Sequence, residues 1–210
     1  MDNNSLGDIL QSFTNMDEYA KYIMDVEYQF YSADNDAEAL RLSIEAQKKG
    51  HSHCLFDYVI GFCFNNGRGG VQVDKRRAGQ YFFASAEAHD VNGNYYNDKH
   101  SDESRAILAE DYVLHDNIYG VIDVAKTIDY CNTLLSHERS VDDALLYLTF
   151  IYGQPQFGCL DIDKAIGYCN EILKSSDADH RQRAIAIRQA LETSRPKQKK
   201  SLFGGLFGKH

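Results

Sequence analysis

Gly120-Val-Ile-Asp-Val-Ala-Lys-Thr-Ile-Asp-Tyr-Cys-Asn-Thr-Leu-Leu135 lies over Gly158-Cys-Leu-Asp-Ile-Asp-Lys-Ala-Ile-Gly-Tyr-Cys-Asn-Glu-Ile-Leu173 at an offset of 38 residues, without a gap. Upstream the register still holds, with Ala106 over Ala144, Tyr112 over Phe150, Val113 over Ile151 and Tyr119 over Phe157. Self-similarity at a period of about 20–50 residues marks a repeat architecture. It sets the expected fold class and directs the functional reading toward binding.

Working outward, the pattern reads as helices throughout. Tyr19, Ile23, Val26 and Phe30 recur every three or four residues, the period of an amphipathic helix. Asp34-Asn-Asp36 reads as a turn that supplies an N-cap, and Ala37 to Lys48 as the next helix, stopped by Gly50. Phe56 to Phe64 and Asp74 to Ala88 form the clearest hairpin, joined by Asn65-Asn-Gly-Arg-Gly-Gly-Val71. Its glycines allow a turn between antiparallel helices within a few residues, and Ala78 is small where the two helices come close. Residues 90–103 break the pattern and read as an inserted loop or extended helix end. Ala106 to His115 pairs with Asp123 to Leu135, and Val141 to Tyr152 with Asp161 to Leu173. Asp179 to Glu192 is a last helix, apolar along Ala184, Ile185, Ile187 and Leu191, of the kind that closes the open end of a stack.

The expectation is an all-α chain: a right-handed α/α solenoid of about four helix pairs with a C-terminal capping helix. Its units lie near residues 17–50, 53–88, 104–136 and 141–175, with the cap at 179–193, in one domain over 1–194. Residues 195–210 form a basic, Gly/Phe-rich tail, expected to be disordered.

The motif of the second unit carries a resemblance. It runs Gly61-x-x-Phe64-x-x-Gly67-x-Gly69, then Val71-x-x-Asp74-x-x-Arg77-Ala78-x-x-Tyr81-Phe82-x-x-Ser85-Ala86. This resembles a Sel-one-like repeat, a relative of the tetratricopeptide repeat, with one extra loop glycine at Gly70. Later units keep Asp123-x-x-Lys126-Thr127 and Asp161-x-x-Lys164-Ala165 but lose most of the loop glycines. The likeness spans roughly residues 35–175. It implies a right-handed stack with a concave face lined by first helices, and an adaptor that binds other proteins rather than an enzyme.

Charge narrows the partner. The net charge is −9, but five of the 22 bases and none of the 31 acids lie beyond Ser194. That leaves 17 bases against 31 acids, or −14, on residues 1–194. Such a body repels phosphate backbones, which excludes nucleic acid, and steers a basic protein toward itself. The first residues lack the pattern of a secretory signal, and no run of 18 apolar residues exists. With an odd count of five cysteines, a cytoplasmic protein with reduced thiols is expected. In the tail, two Leu-Phe pairs behind a lysine cluster allow a weak membrane contact but no stable anchoring.

No catalytic motif is present, and no cofactor is expected. Adjacent pairs such as His89-Asp90 and His115-Asp116 diverge by about 100° on a helix. Gly67-Arg-Gly-Gly70 reads as a turn rather than a phosphate nest, because it lacks the Gly-Lys-Ser/Thr ending. Asp34-x-Asp36-x-Glu38 is no calcium loop, because Ala39 stands where glycine is needed. Cys131 and Cys169 hold equivalent repeat positions, roughly 10 Å apart for packed helices and beyond disulfide reach. His51-x-His53-Cys54 with Cys63 has a metal-like composition, but zinc sites show two paired ligand sets and Cys63 is alone in an apolar helix. No metal is therefore assigned.

The candidate partner-binding residues are first-helix aromatics outside the core stripe, Tyr58, Phe62 and Tyr112, with His115. Asp57 and Asp111 add negative charge. Tyrosine suits such a face because it is large and loses little entropy on binding. The expected function is capture of a polypeptide on an acidic, tyrosine-lined concave face. The alternative is an immunity or inhibitor protein that neutralises a basic toxin or effector. A more remote alternative is a metal sensor or enzyme built on His51, His53 and Cys54.

Overall fold

The computed structural model describes residues 16–89 and 92–194. The expectations for residues 1–15 and for the tail, 195–210, lie outside the described residues. The chain is helical. Helix α1 covers 16–27 and runs into a π-helical turn, Tyr28–Ser32. The remaining helices are α2 (Asp36–Lys48), α3 (Cys54–Asn66), α4 (Lys75–Ala86), α5 (Lys99–Leu114), α6 (Val124–Ser136), α7 (Val141–Gly153), α8 (Ile162–Ile172) and α9 (Ala178–Ser194). No strand occurs among the described residues, only an isolated bridge between His89 and Tyr95.

Four helices start and bury themselves by one rule. The caps of α2, α4, α6 and α8 are Asn35, Asp74, Asp123 and Asp161. Each cap side chain accepts from the N–H three residues on: Glu38, Arg77, Lys126 and Lys164. This satisfies a donor that the first helical turn leaves open. Counting from the cap, the fourth, eighth and eleventh residues are fully buried every time. They are Ala39, Ser43 and Ala46; Ala78, Phe82 and Ser85; Thr127, Cys131 and Leu134; Ala165, Cys169 and Ile172. Spacings of four and three keep these positions on one helix face.

The chain divides into two compact units between Tyr147 and Leu148, inside α7. In the first unit consecutive helices pack, α2 on α3, α3 on α4, α4 on α5 and α5 on α6, and α3 also touches α5. The α3–α4 hairpin is tight because Gly61 faces the Phe82 ring, where a Cβ would stand 2.9 Å from Cδ1. Gly67 closes α3 at φ 66° in the left-handed region. Gly69, also at φ 66°, rests on α2, where a Cβ would stand 3.0 Å from the Asp36 carbonyl oxygen. The loop's Arg68 pairs with Asp36 and, at 3.0 Å, with Asp34. In the second unit α8 packs on α9, and Gly153 at the end of α7 abuts Leu191 and Ala165.

Helix α5 starts at Lys99, seven residues before the Ala106 start read from the sequence. The polar composition of its first turns conceals a buried face. Arg105 is fully buried and donates to Asp102 at 2.6 Å, to the Tyr96 carbonyl at 3.0 Å and to the Ala86 carbonyl at 2.7 Å. Its guanidinium lies 4.6 Å from the Tyr95 ring centroid. Asp102 also meets His137 at 2.9 Å and Arg139 at 3.1 Å, tying α5 to the loop after α6. In α9, Ala184 and Leu191 are buried but Ile185 is exposed, so the stripe is narrower than the composition suggests.

Candidate functional site

The π turn, α3 and α5 of the first unit bring together a connected set of rings. Phe30 meets Phe62 edge-on at 5.1 Å, Tyr58 edge-on at 6.1 Å and Tyr31 at 4.9 Å. His100, near the start of α5, lies 5.6 Å from Tyr58 and 5.9 Å from Tyr31. Tyr31 remains 48% exposed, with the Lys99 ammonium 4.3 Å from its ring centroid. Lys99 in turn stands 3.5 Å from Glu27. Burial raises the Tyr31 and Tyr58 hydroxyls well above the ordinary phenol value, and the Glu103 carboxylate adds to both shifts. Both therefore stay neutral donors at physiological pH.

Of the sequence candidates, Tyr58 and Phe62 belong to this aromatic set, Tyr58 buried in the core and Phe62 half-buried. Asp57 lies elsewhere on α3 and accepts a 2.7 Å hydrogen bond from Gln47 of α2. Burial pushes its carboxyl up to about 6, against the effect of that bond. Asp111, Tyr112 and His115 sit toward the far end of α5. Asp111 is buried and accepts from the backbone N–H groups of Ile118 and Tyr119 at 3.2 and 3.0 Å, so it organises the loop after α5. Tyr112 is half-buried against the core. His115 is exposed, 3.6 Å from Glu110. Asp111 and His115 line a shallow cleft of about 340 Å³ with Lys75, Glu110, Ile118 and Tyr119. The six candidates thus fall into three places on the first unit. Neither Phe30 nor Tyr31 is a site residue by sequence: Phe30 continues the apolar stripe of the first helix and so reads as core, and Tyr31 falls off that stripe in the π turn.

Beneath the rings lies a cluster of metal-ligating types. Cys54 is the first residue of α3 and His53 its N-cap, while Asp98 is the N-cap of α5 and His100 its second residue. Asp98 Oδ1 accepts from the His100 N–H at 2.8 Å, contacts His100 Nδ1 at 2.9 Å and accepts from the Cys54 thiol at 3.2 Å. Burial works against charge on Asp98, but these three hydrogen bonds outweigh it and hold the carboxyl well below its ordinary value. Burial pushes the Cys54 thiol up to about 12, so without a cation it is a poor nucleophile. The side chains of Cys54, Asp98 and His100 offer one ligand atom each within 4.8 Å of one another. In the sequence the signal is Cys54 together with Asp98-x-His100, not His51-x-His53-Cys54 with Cys63. The Cys63 thiol instead points to the Asp36 carbonyl, at 4.0 Å.

Comparison with protein-family models, curated proteins and solved structures finds no match for this chain. Among the described residues, no helix is long and apolar enough to cross a membrane. All five cysteines are free.

Proposed function

We propose that the protein is a non-enzymatic binding module that holds another polypeptide on the first-unit face formed by the π turn, α3 and α5. The observation that carries this reading is the joined aromatic set, Phe30, Tyr31, Tyr58 and Phe62. It opens to solvent at Tyr31 and has Glu27 and Glu103 beside it. Large rings that are already fixed by packing supply contact area at low entropic cost, which favours them as anchors for a partner.

The resemblance to Sel-one-like repeats supports the same reading. So does the cap-and-stripe rule shared by α2, α4, α6 and α8. In this proposal the helix pairs form a right-handed solenoid whose first helices line the concave side and whose last helix, α9, caps the end. The charge of −14 on residues 1–194 favours a basic partner. It also supports a second reading, an immunity or inhibitor protein that neutralises a basic effector in the cytoplasm.

The test is affinity capture from the source cell with the wild type, Tyr31→Ala, Phe62→Ala and, as a control, Ile185→Ala. A specific partner should be recovered by the wild type and the control and lost with the two aromatic variants while the helical circular dichroism is unchanged. Equal recovery by all four proteins would overturn the assignment of the face. For the inhibitor reading, the captured protein should be basic and its activity should stop on binding.

A further inference from the structure

We propose that Cys54, Asp98 and His100 bind a zinc ion at the junction of the starts of α3 and α5. The set combines a thiol, a carboxylate and an imidazole, the donor types that favour zinc over the oxygen-preferring magnesium and calcium. The three come from two helix starts that the α3–α5 contact places side by side. In tetrahedral zinc sites the bonds are about 2.0–2.3 Å, so ligand atoms stand roughly 3.3–3.7 Å apart. The separations of 2.9 Å between Asp98 Oδ1 and His100 Nδ1 and 3.2 Å between Asp98 Oδ1 and Cys54 Sγ need to open by only a few tenths of an ångström.

Two further observations point to an ion rather than to a hydrogen-bonded clamp alone. His100 is 2% exposed, yet its Nε2 has no hydrogen-bond partner. A buried ring nitrogen without a partner carries a cost, and a turn of the ring that brings Nε2 to the ion would relieve it. The site also has an entrance: Asp98 is 30% exposed, whereas Cys54 and His100 are screened, the latter by the rings of Tyr31 and Tyr58. On binding, the Cys54 S–H proton leaves to solvent and the thiolate, with Asp98, supplies two negative charges to the dication. Three protein ligands leave a fourth position for water. The neighbouring His53, whose Nδ1 lies 3.8 Å from Cys54 Sγ, is already engaged by the Leu55 N–H. This site is independent of the partner-binding proposal and departs from the expectation of no metal.

The experiment titrates chelator-treated full-length protein with zinc by calorimetry and with cobalt by absorption spectroscopy. One equivalent of each should bind, and the cobalt complex should show a thiolate-to-metal charge-transfer band. Cys54→Ser should abolish that band and, like His100→Gln, weaken zinc binding about 100-fold. His51→Ala and Cys63→Ala should leave both unchanged. Because His100 is buried, circular dichroism of every variant is recorded. If His100→Gln does not fold, the Cys54→Ser comparison decides alone. No saturable heat at about 0.1 mM zinc, or a charge-transfer band that survives in Cys54→Ser, would overturn the site and leave the cluster as a clamp between α3 and α5.

Discussion

Arg105 shows how a charged side chain becomes a structural pin. Its contacts with Asp102 and two main-chain carbonyls replace water that the site excludes. Arg105→Ala should cost about 2–3 kcal/mol in chemical denaturation, because it takes the donor from the Ala86 and Tyr96 carbonyls and leaves Asp102 with only His137 and Arg139. Asp57 should behave in the opposite sense. Its folded value of about 6 lies above the ordinary 3.8, so folding disfavours its charge. That penalty is absent below the unfolded value, grows as pH rises from there toward the folded value, and is complete above it. Asp57→Asn keeps an oxygen for Gln47 and should stabilise the protein at pH 7.5 by up to about 2 kcal/mol, after allowance for partial solvent screening. The gain should vanish near pH 3.8 in a pH series of thermal melts, if the protein is still folded there; a gain that is constant across pH would refute the burial argument.

At the scale of helices, the shared cap rule makes a quantitative demand. Asp74→Ala, Asp123→Ala and Asp161→Ala remove the same bond from equivalent positions. Each should lower stability by about 1 kcal/mol in urea unfolding, with little spread. Glycines inside helices separate contact from propensity. A methyl group on Gly79 of α4 would stand 2.5 Å from Tyr119 Cβ, whereas one on Gly167 of α8 meets nothing within 4 Å. Gly79→Ala should therefore destabilise by about 1–3 kcal/mol, and Gly167→Ala should stabilise by about 0.5–1 kcal/mol. Much of this level was legible in the sequence. The caps Asp74, Asp123 and Asp161 were readable because the cap and the 3.6-residue stripe are local rules. The start of α5 was not, because His100, Asp102 and Arg105 look solvent-facing until partners from α4 and from the loops after α4 and α6 are in place. The aromatic face and the Cys54–Asp98–His100 cluster were hidden for a related reason. Residues 44 positions apart meet only through the packing of α3 on α5.

For the whole molecule, the uneven charge is the property that acts at a distance. The 31 acids all precede the tail that holds five of the bases. If the partner is basic, association should slow and weaken steeply as salt rises from about 0.05 to 0.5 M, because the screening length then falls from about 14 Å to about 4 Å. Stopped-flow binding over that range checks this; an affinity indifferent to salt would remove charge from the recognition. The common cap and stripe of α2, α4, α6 and α8 bear on ancestry as well. A gene that copied one such segment would inherit its inward-facing residues ready fitted, so selection could rewrite the outward residues of each copy separately. That history leaves traces on both sides: inside, Cys131 and Cys169 are still the same residue while Thr127 stands against Ala165, and outside, Asn132 and Asn170 still match while Asp129 and Gly167 differ.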